Sequence, residues 1–336
     1  MSVCRLNRSA IAGLLSRFKR QNGAKIASQK LQIVTARSIV LEENVVSKQI
    51  IICADDFAQN EDISEGILSL AEMRRINAIG CLVNTSSWDD FHTDLIAIRS
   101  NSFIGLHLNF TFGQPLSSAW RKREGEEFYT LLKLLKKLYF RQISFDTIAD
   151  EIKAQIDVFS HKMHIYPDFI DGHQHVQQLP LIRTALFDVH TRKMGHLHST
   201  LVTDSNIDYS ETFFRSTSNG FGDLISIISF PKSQALSILG GHKFKKLLIE
   251  EQIPTNASFS GIYNFKNAKN YQKYFQKFLG QTKNGGIIMC HPGIISNDLT
   301  DPLYKFRHHE LNYFKSDEFL SDIADGDYAL SLVNRY

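Results

Sequence analysis

The sequence predicts an α/β protein in which helices cover a parallel β-sheet, and three observations lead to this prediction. Short apolar runs rich in β-branched residues alternate with segments of helical period from residue 47 onward. Four of these runs lead to an acidic residue or a histidine. Neither a G-x-G-x-x-G motif nor a P-loop follows the first run, so the pattern does not favour a nucleotide-binding domain. Doubly wound sheets and (β/α) TIM-like barrels both fit such an alternation.

Five apolar runs have the length and composition of buried strands. They occupy residues 49–54, 78–83, 103–110, 169–170 and 286–290. The remaining pattern predicts helices over residues 63–71, 131–139, 145–159, 271–278 and 310–319. Asn60 is placed to cap the first of these helices. Residues 195–260 show little pattern beyond a weak helical one over 233–239.

The polar residues at the strand ends favour the barrel over the open sheet. They are Asp55 and Asp56, His107, His173 and His291. A barrel gathers the ends of many strands onto the one face that holds the active site, whereas an open sheet uses a single crevice. We therefore predict one catalytic domain over residues 47–336, built as a (β/α) barrel with these side chains at one rim.

The composition is that of a soluble globular protein, with 43% hydrophobic and 22% charged residues among 336. A formal net charge of +3 is too small to indicate a nucleic-acid partner. No apolar stretch approaches the roughly 18 to 20 residues of a membrane span, so no membrane partner is expected. The four cysteines form no CxxC pair, which favours a reducing, cytoplasmic compartment.

Residues 1–46 are predicted to be a basic N-terminal extension. The first 41 residues contain eight Lys or Arg and no Asp or Glu. Such a start is typical of an organelle transit peptide, which makes organelle import an alternative to the cytoplasm. A flexible basic arm and a start codon assigned too far upstream are the other two interpretations.

Asp55 and Asp56 are adjacent carboxylates at a strand end. If both are buried, they repel each other and lose hydration, and a divalent cation would offset that cost. The alternative is a helix N-cap with a solvated neighbour, because Asp is common at that position.

The histidines indicate a metal site only in combination with these carboxylates. A single histidine in an apolar run is more often a hydrogen-bonded core residue than a ligand. Imidazole and carboxylate together suit zinc and other divalent first-row metals. Three protein ligands would leave a coordination position for water, as catalytic sites do. Asp171, two residues before His173, is placed to orient a ligating side chain.

Four motifs in this order resemble the YdjC family, which includes the chitooligosaccharide deacetylases. They are Ala54-Asp55-Asp56-Phe57, the run from Gly105 to Leu116, Asp171-Gly172-His173-Gln174-His175-Val176, and Cys290-His291-Pro292-Gly293. A weaker likeness covers Ile79 to Asn84 and Arg307 to Phe319, so the resemblance runs from about Lys48 to the C-terminus.

The resemblance implies a distorted (β/α) barrel and removal of the acetyl group from N-acetylated amino sugars or chitooligosaccharides. It implies one divalent ion, Mg²⁺ or Zn²⁺, held by Asp56, His107 and His173. It also implies that Asp55 is the catalytic base and His291 the general acid. An N-acetylated sugar is then the expected partner, and a homodimer remains open.

One residue departs from the family pattern, and two other functions remain as alternatives. Gln177 stands where the family usually has another histidine, and a neutral amide cannot carry a proton as imidazole does. Another metal hydrolase on the same barrel, a phosphoesterase or an amidohydrolase, is the first alternative. Phosphate chemistry usually recruits Arg or Lys, and none flanks the motifs before Arg307. A carbohydrate-binding pseudoenzyme is the second.

Overall fold

A computed structural model describes residues 47–200, 212–218, 240–330 and 332. The basic N-terminal extension and the predicted helix over residues 233–239 lie outside these ranges. Within the described part of the chain, no helix is both long and apolar enough to cross a bilayer.

Within the described ranges, eight parallel strands form one sheet. They are β1 (Lys48–Phe57), β2 (Ala78–Cys81), β3 (Phe103–Leu108), β4 (Phe169–Gly172), β5 (Phe213–Phe214), β6 (Phe259–Ser260), β7 (Gly286–Cys290) and β8 (Tyr328–Leu330). Seven of them follow the order β5-β4-β3-β2-β1-β7-β6, and β8 pairs with the first residues of β1. An isolated parallel bridge between Phe214 and Thr255 connects β5 to the segment before β6. The sheet therefore curls into the distorted barrel that the sequence predicted.

Helices follow most strands, as the helical period indicated. The α-helices with described bounds are α1 (Glu61–Glu72), α2 (Ser86–Phe91), α3 (Asp94–Ile98), α4 (Ser118–Glu124), α5 (Leu131–Tyr139), α6 (Phe145–Met163), α7 (Pro180–Thr200), α8 (Gly241–Glu250), α9 (Tyr271–Gln281), α10 (Arg307–Lys315) and α11 (Asp317–Asp325). Short 3₁₀ segments cover His173–Gln178 and Phe265–Asn270.

Two differences from the predicted elements have local causes. The third strand was predicted to reach residue 110 but ends at Leu108, because the Asn109 side chain accepts hydrogen bonds from the N–H groups of Thr111 and Phe112 and turns the chain. The predicted helix over 310–319 is two helices, since Ser316 has extended backbone angles (φ −80°, ψ 165°).

The long strand β1 lies at the centre of the sheet and is buried along most of its length. It pairs with β2 on one side and with β7 on the other. The Asn60 side chain accepts a hydrogen bond from the Ile63 N–H at 3.0 Å and so starts α1 directly after the strand. Because all the strands are parallel, the residues at the carboxyl ends of β1, β3, β4 and β7 reach the same rim.

Candidate metal and active site

The end of β1 directs two consecutive carboxylates into one cavity. The pairing of β1 with β2 shifts register between Ala54 and Phe57, and Asp56 has a positive φ of 71°. A non-glycine residue in this region is strained, and such strain is concentrated at functional sites. The irregularity lets Asp55 and Asp56 both line a cavity of about 330 Å³, where a regular strand would point them to opposite faces.

Three of the predicted residues form a cluster that fits a metal ion. Nδ1 of His173 lies 2.8 Å from Oδ1 of Asp56, and Nε2 of His107 lies 3.4 Å from the same oxygen. One donor atom from each residue lies within 4.8 Å of the other two. A single ion bound at about 2.0 to 2.2 Å from each donor needs donors this close.

Asp171 orients His107 for such a role. Its Oδ1 lies 2.6 Å from Nδ1 of His107, which leaves Nε2 directed toward Asp56. A carboxylate behind a ligating imidazole is the arrangement that selects the ligand nitrogen. Burial lowers the pKa of His107, but Asp171 and Asp55 outweigh it and bring the pKa to about 10. The carboxylates that raise this pKa would also attract a divalent cation, which has to displace the proton from Nε2 in order to bind.

Arg215 pairs with the predicted base, Asp55. Its Nη1 and Nη2 lie 2.6 and 2.7 Å from the two oxygens of Asp55, and Nη2 is also 2.9 Å from Oδ2 of Asp171. All three side chains are buried. Burial raises the pKa of Asp55, but the charge of Arg215 and of His107 outweighs it, and the pKa falls to about 2. Asp55 is therefore ionised at neutral pH.

Arg307 holds the other predicted metal ligand. Its Nη2 lies 2.9 Å from Oδ2 of Asp56, and its Nε lies 2.7 Å from Oδ2 of Asp301. Burial opposes ionisation of Asp56, but the charges of His173 and Arg307 outweigh it and hold the pKa of Asp56 well below its usual value. One oxygen of Asp56 thus faces Arg307 while the other faces the two imidazoles.

His291 lines the same cavity as the carboxylates. Its backbone N–H donates to Oε2 of Glu310 at 2.6 Å, and the ring of Phe265 packs edge-on against the imidazole at 5.3 Å between centroids. Burial, only partly offset by the charges of Asp56 and Asp55, lowers the pKa of His291 to about 4. The imidazole is therefore neutral at pH 7.

Gln177, the departure from the family pattern, touches the site only indirectly. Its side-chain amide donates to the backbone carbonyl of Arg215 at 3.0 Å. It therefore supports the segment that carries Arg215 and does not line the cavity.

The five residues predicted from sequence all line one cavity. Further polar residues of the site were not predicted, among them four that take part in its buried hydrogen bonds. These four are Arg215, Tyr263, Asp301 and Glu310. Arg215 and Tyr263 lie in or next to the stretch of weak pattern, so no periodicity marked them. Glu310 belongs to the tail likeness, but its position there indicates no contact with His291.

Comparison with known proteins places the chain in a family. The family model described as "YdjC-like protein" matches residues 49–325. A carbohydrate deacetylase of Danio rerio is 29% identical over 146 residues, which are 42% of this chain and 46% of that protein. A chitooligosaccharide deacetylase of Yersinia pestis is 30% identical over 144 residues, 41% of this chain and 53% of that protein. The chain thus spans about half the length of these curated relatives.

A solved structure shows the same fold. A protein of Enterococcus faecalis V583, provisionally named a cellobiose-phosphate cleavage protein, superposes with a TM-score of 0.59 at 17% identity. The superposition covers 85% of this chain and 97% of that one. Because the family model covers most of the chain, the resemblance inferred from the four motifs is confirmed: this protein belongs to the YdjC-like family.

Proposed function

We propose that this protein is a metal-dependent hydrolase that removes the acetyl group from N-acetylated amino sugars or chitooligosaccharides. The observation that carries the proposal is the convergence of Asp56, His107 and His173 around one point, beside Asp55 and His291, in a cavity of about 330 Å³. Such a volume lies at the lower end of the roughly 300 to 1,000 Å³ of small-ligand pockets. The names of the curated relatives agree with this substrate class.

Asp56, His107 and His173 would hold one divalent ion, Mg²⁺ or Zn²⁺. When bound, the ion would supply an activated water and polarise the carbonyl of the acetamide. The donor set, one carboxylate oxygen and two imidazole nitrogens, accepts several divalent metals. Asp171 and Arg307 would keep two of the three donors in place from behind.

Asp55 would act as the general base that takes a proton from the attacking water. Arg215 fixes its carboxylate, and Oδ1 accepts a second hydrogen bond from Sγ of Cys53 at 3.5 Å. Oδ2, bonded by Arg215, keeps a further lone pair for the water. A pKa of about 2 keeps Asp55 ionised at neutral pH and makes it a weak base on its own. The base role therefore depends on a water already made acidic in the site.

His291 would deliver a proton to the leaving amine. Its pKa of about 4 means that it is neutral before the reaction. As the reaction proceeds it would take up the proton that Asp55 removed from the attacking water, which returns Asp55 to its ionised form. An imidazolium with such a low pKa is a strong acid, so its proton passes readily to an amine nitrogen. Breaking the C–N bond then releases the free amino sugar and acetate.

The alternative of a phosphoesterase gains no support from the two arginines at the site. The sequence led us to expect no basic residue near the motifs before Arg307, yet Arg215 also lies there. Both guanidinium groups are engaged by buried carboxylates, Arg215 by Asp55 and Asp171, and Arg307 by Asp56 and Asp301. Their charge is thus compensated within the protein.

Acetate release from N-acetylglucosamine and its oligomers, with the metal content of the protein measured in parallel, tests the proposal. We expect turnover that a chelator abolishes and that added Zn²⁺ or Mg²⁺ restores. The Asp56→Ala variant should lose metal and turnover together. Phosphate release from a sugar phosphate without acetate release would support the phosphoesterase instead, and sugar binding without turnover would identify a pseudoenzyme.

A further inference from the structure

The first turn of helix α10 contributes two buried ionisable side chains to the site. Arg307 contacts Asp56, and Glu310, one turn later, contacts the residue that follows β7. Glu310 is only 1% exposed. A buried carboxyl group is costly unless its oxygens are hydrogen-bonded, so its contacts need a reason.

Each oxygen of Glu310 accepts one short hydrogen bond. Oε2 accepts the backbone N–H of His291 at 2.6 Å, and Oε1 accepts the hydroxyl of Tyr263 at 2.6 Å. Both donors belong to residues that line the cavity. Glu310 therefore links two parts of the cavity wall without lining the cavity itself.

The imidazole of His291 is held differently from that of His107. Its Nδ1 is buried and has no hydrogen-bond partner among the residues that the structure describes. The ring is therefore not held through that nitrogen, unlike His107, whose Nδ1 contacts Asp171. The contacts that do hold His291 include the edge contact of its ring with Phe265 and the hydrogen bond from its backbone N–H to Glu310.

We propose that Glu310 is a positioning residue for His291 and that Tyr263 stabilises it in this role. The inference rests on the proposed function, in which His291 serves as the acid. The ring of Tyr263 packs near that of Phe265, at 4.8 Å between centroids. Phe265 therefore contacts the imidazole of His291 and also the tyrosine that donates to Glu310. Displacing the backbone of His291 should move the imidazole relative to the leaving nitrogen.

Three variants separate positioning from a purely structural role. Glu310→Ala should lower kcat on the order of 10- to 100-fold, because groups that orient a reacting side chain have effects of this size. KM and metal content should stay close to wild type. Glu310→Gln should restore most of kcat, since its amide oxygen can still accept the His291 N–H. Tyr263→Phe should fall between them, and Glu250→Ala on the exposed face of α8 is the matched control.

Hydrogen–deuterium exchange at the His291 amide gives a readout that needs no turnover. We expect faster exchange there in Glu310→Ala and wild-type exchange in Glu310→Gln and Glu250→Ala. If the wild type releases no acetate but exchange at the His291 amide is still faster in Glu310→Ala, the proposed function fails while the positioning of His291 by Glu310 is supported. If Glu310→Ala keeps both the wild-type kcat per folded molecule and the wild-type exchange at His291, the positioning role is overturned. Should Glu310→Ala not fold, Tyr263→Phe takes its place, and wild-type kcat together with wild-type exchange in that variant overturns the proposal.

Discussion

Arg307 and Asp56 are 251 residues apart in the chain, yet Nη2 of Arg307 lies 2.9 Å from Oδ2 of Asp56. The same carboxylate presents Oδ1 to His107 and His173. Arg307 is in turn held by Asp301. This clamp, in which Arg307 bridges Asp56 and Asp301, therefore adds little net charge beside the predicted ion. Its main contribution is to fix which oxygen of Asp56 faces the imidazoles.

Arg307→Lys should therefore weaken metal binding even though the positive charge is kept. A lysine ammonium cannot bridge Asp56 and Asp301 as the planar guanidinium does. We expect a loss of about 10-fold or more in affinity for Zn²⁺, as is usual for groups behind metal ligands. Calorimetric titration of the metal-free protein measures it. The control is Arg192→Lys, at an exposed arginine that pairs with Asp188, and it should bind the ion like the wild type. If Arg307→Lys bound Zn²⁺ as tightly as this control does, the role of the clamp would be contradicted.

His291→Ala should slow substrates according to their leaving group. With N-acetylglucosamine, kcat should fall about 100- to 10,000-fold, the usual contribution of a general acid. With 4-nitrophenyl acetate, whose leaving group needs no proton, the loss should be much smaller. Asp55→Asn should slow both substrates alike and keep the metal. Equal losses with both substrates in His291→Ala would argue against the acid role.

Arg215→Met should destabilise the fold because it leaves Asp55 and Asp171 buried without their shared partner. Removing one partner of a buried ion pair costs about 3 to 5 kcal/mol. Urea titration measures the change in the free energy of unfolding. Asp157→Asn breaks the exposed pair with Lys153 and should cost less than about 1 kcal/mol. A comparable small loss in Arg215→Met would show that the buried pair is not needed for folding.

His190 should make the protein less stable in acid. It is buried in α7, with Nδ1 3.0 Å from the hydroxyl of Tyr166, and burial lowers its pKa to about 4. The unfolded chain, with an ordinary pKa near 6.5, binds a proton first as the pH falls. The stabilising effect of the neutral ring is therefore present above about pH 6.5 and is lost as the pH falls toward 4.

The His190→Gln variant isolates this effect, since other titrating groups act equally in both proteins. Between pH 7 and pH 5, the free energy of unfolding should fall by about 2 kcal/mol less in the variant than in the wild type. Urea titrations at the two pH values measure the difference. The same acid loss in both proteins would show that His190 does not carry it.

The local pattern of the sequence was enough for most of the fold. Residues 286–290 and 131–139 form the strand and the helix that their periods predicted, with the same bounds. The third strand ends earlier than its pattern predicted because the Asn109 side chain turns the chain. Such a turn depends on one hydrogen-bonding geometry and leaves no periodic signal.

The sequence by itself also determined which five residues reach one rim, because parallel strands bring their carboxyl ends together wherever the chain places them. Only the tertiary structure decided which side chains hold those five. The pairing of Arg215 with Asp55 spans 160 residues, and that of Glu310 with Tyr263 spans 47. Such contacts depend on how elements pack across the sheet, whereas hydrophobic period reports only the face that each element buries.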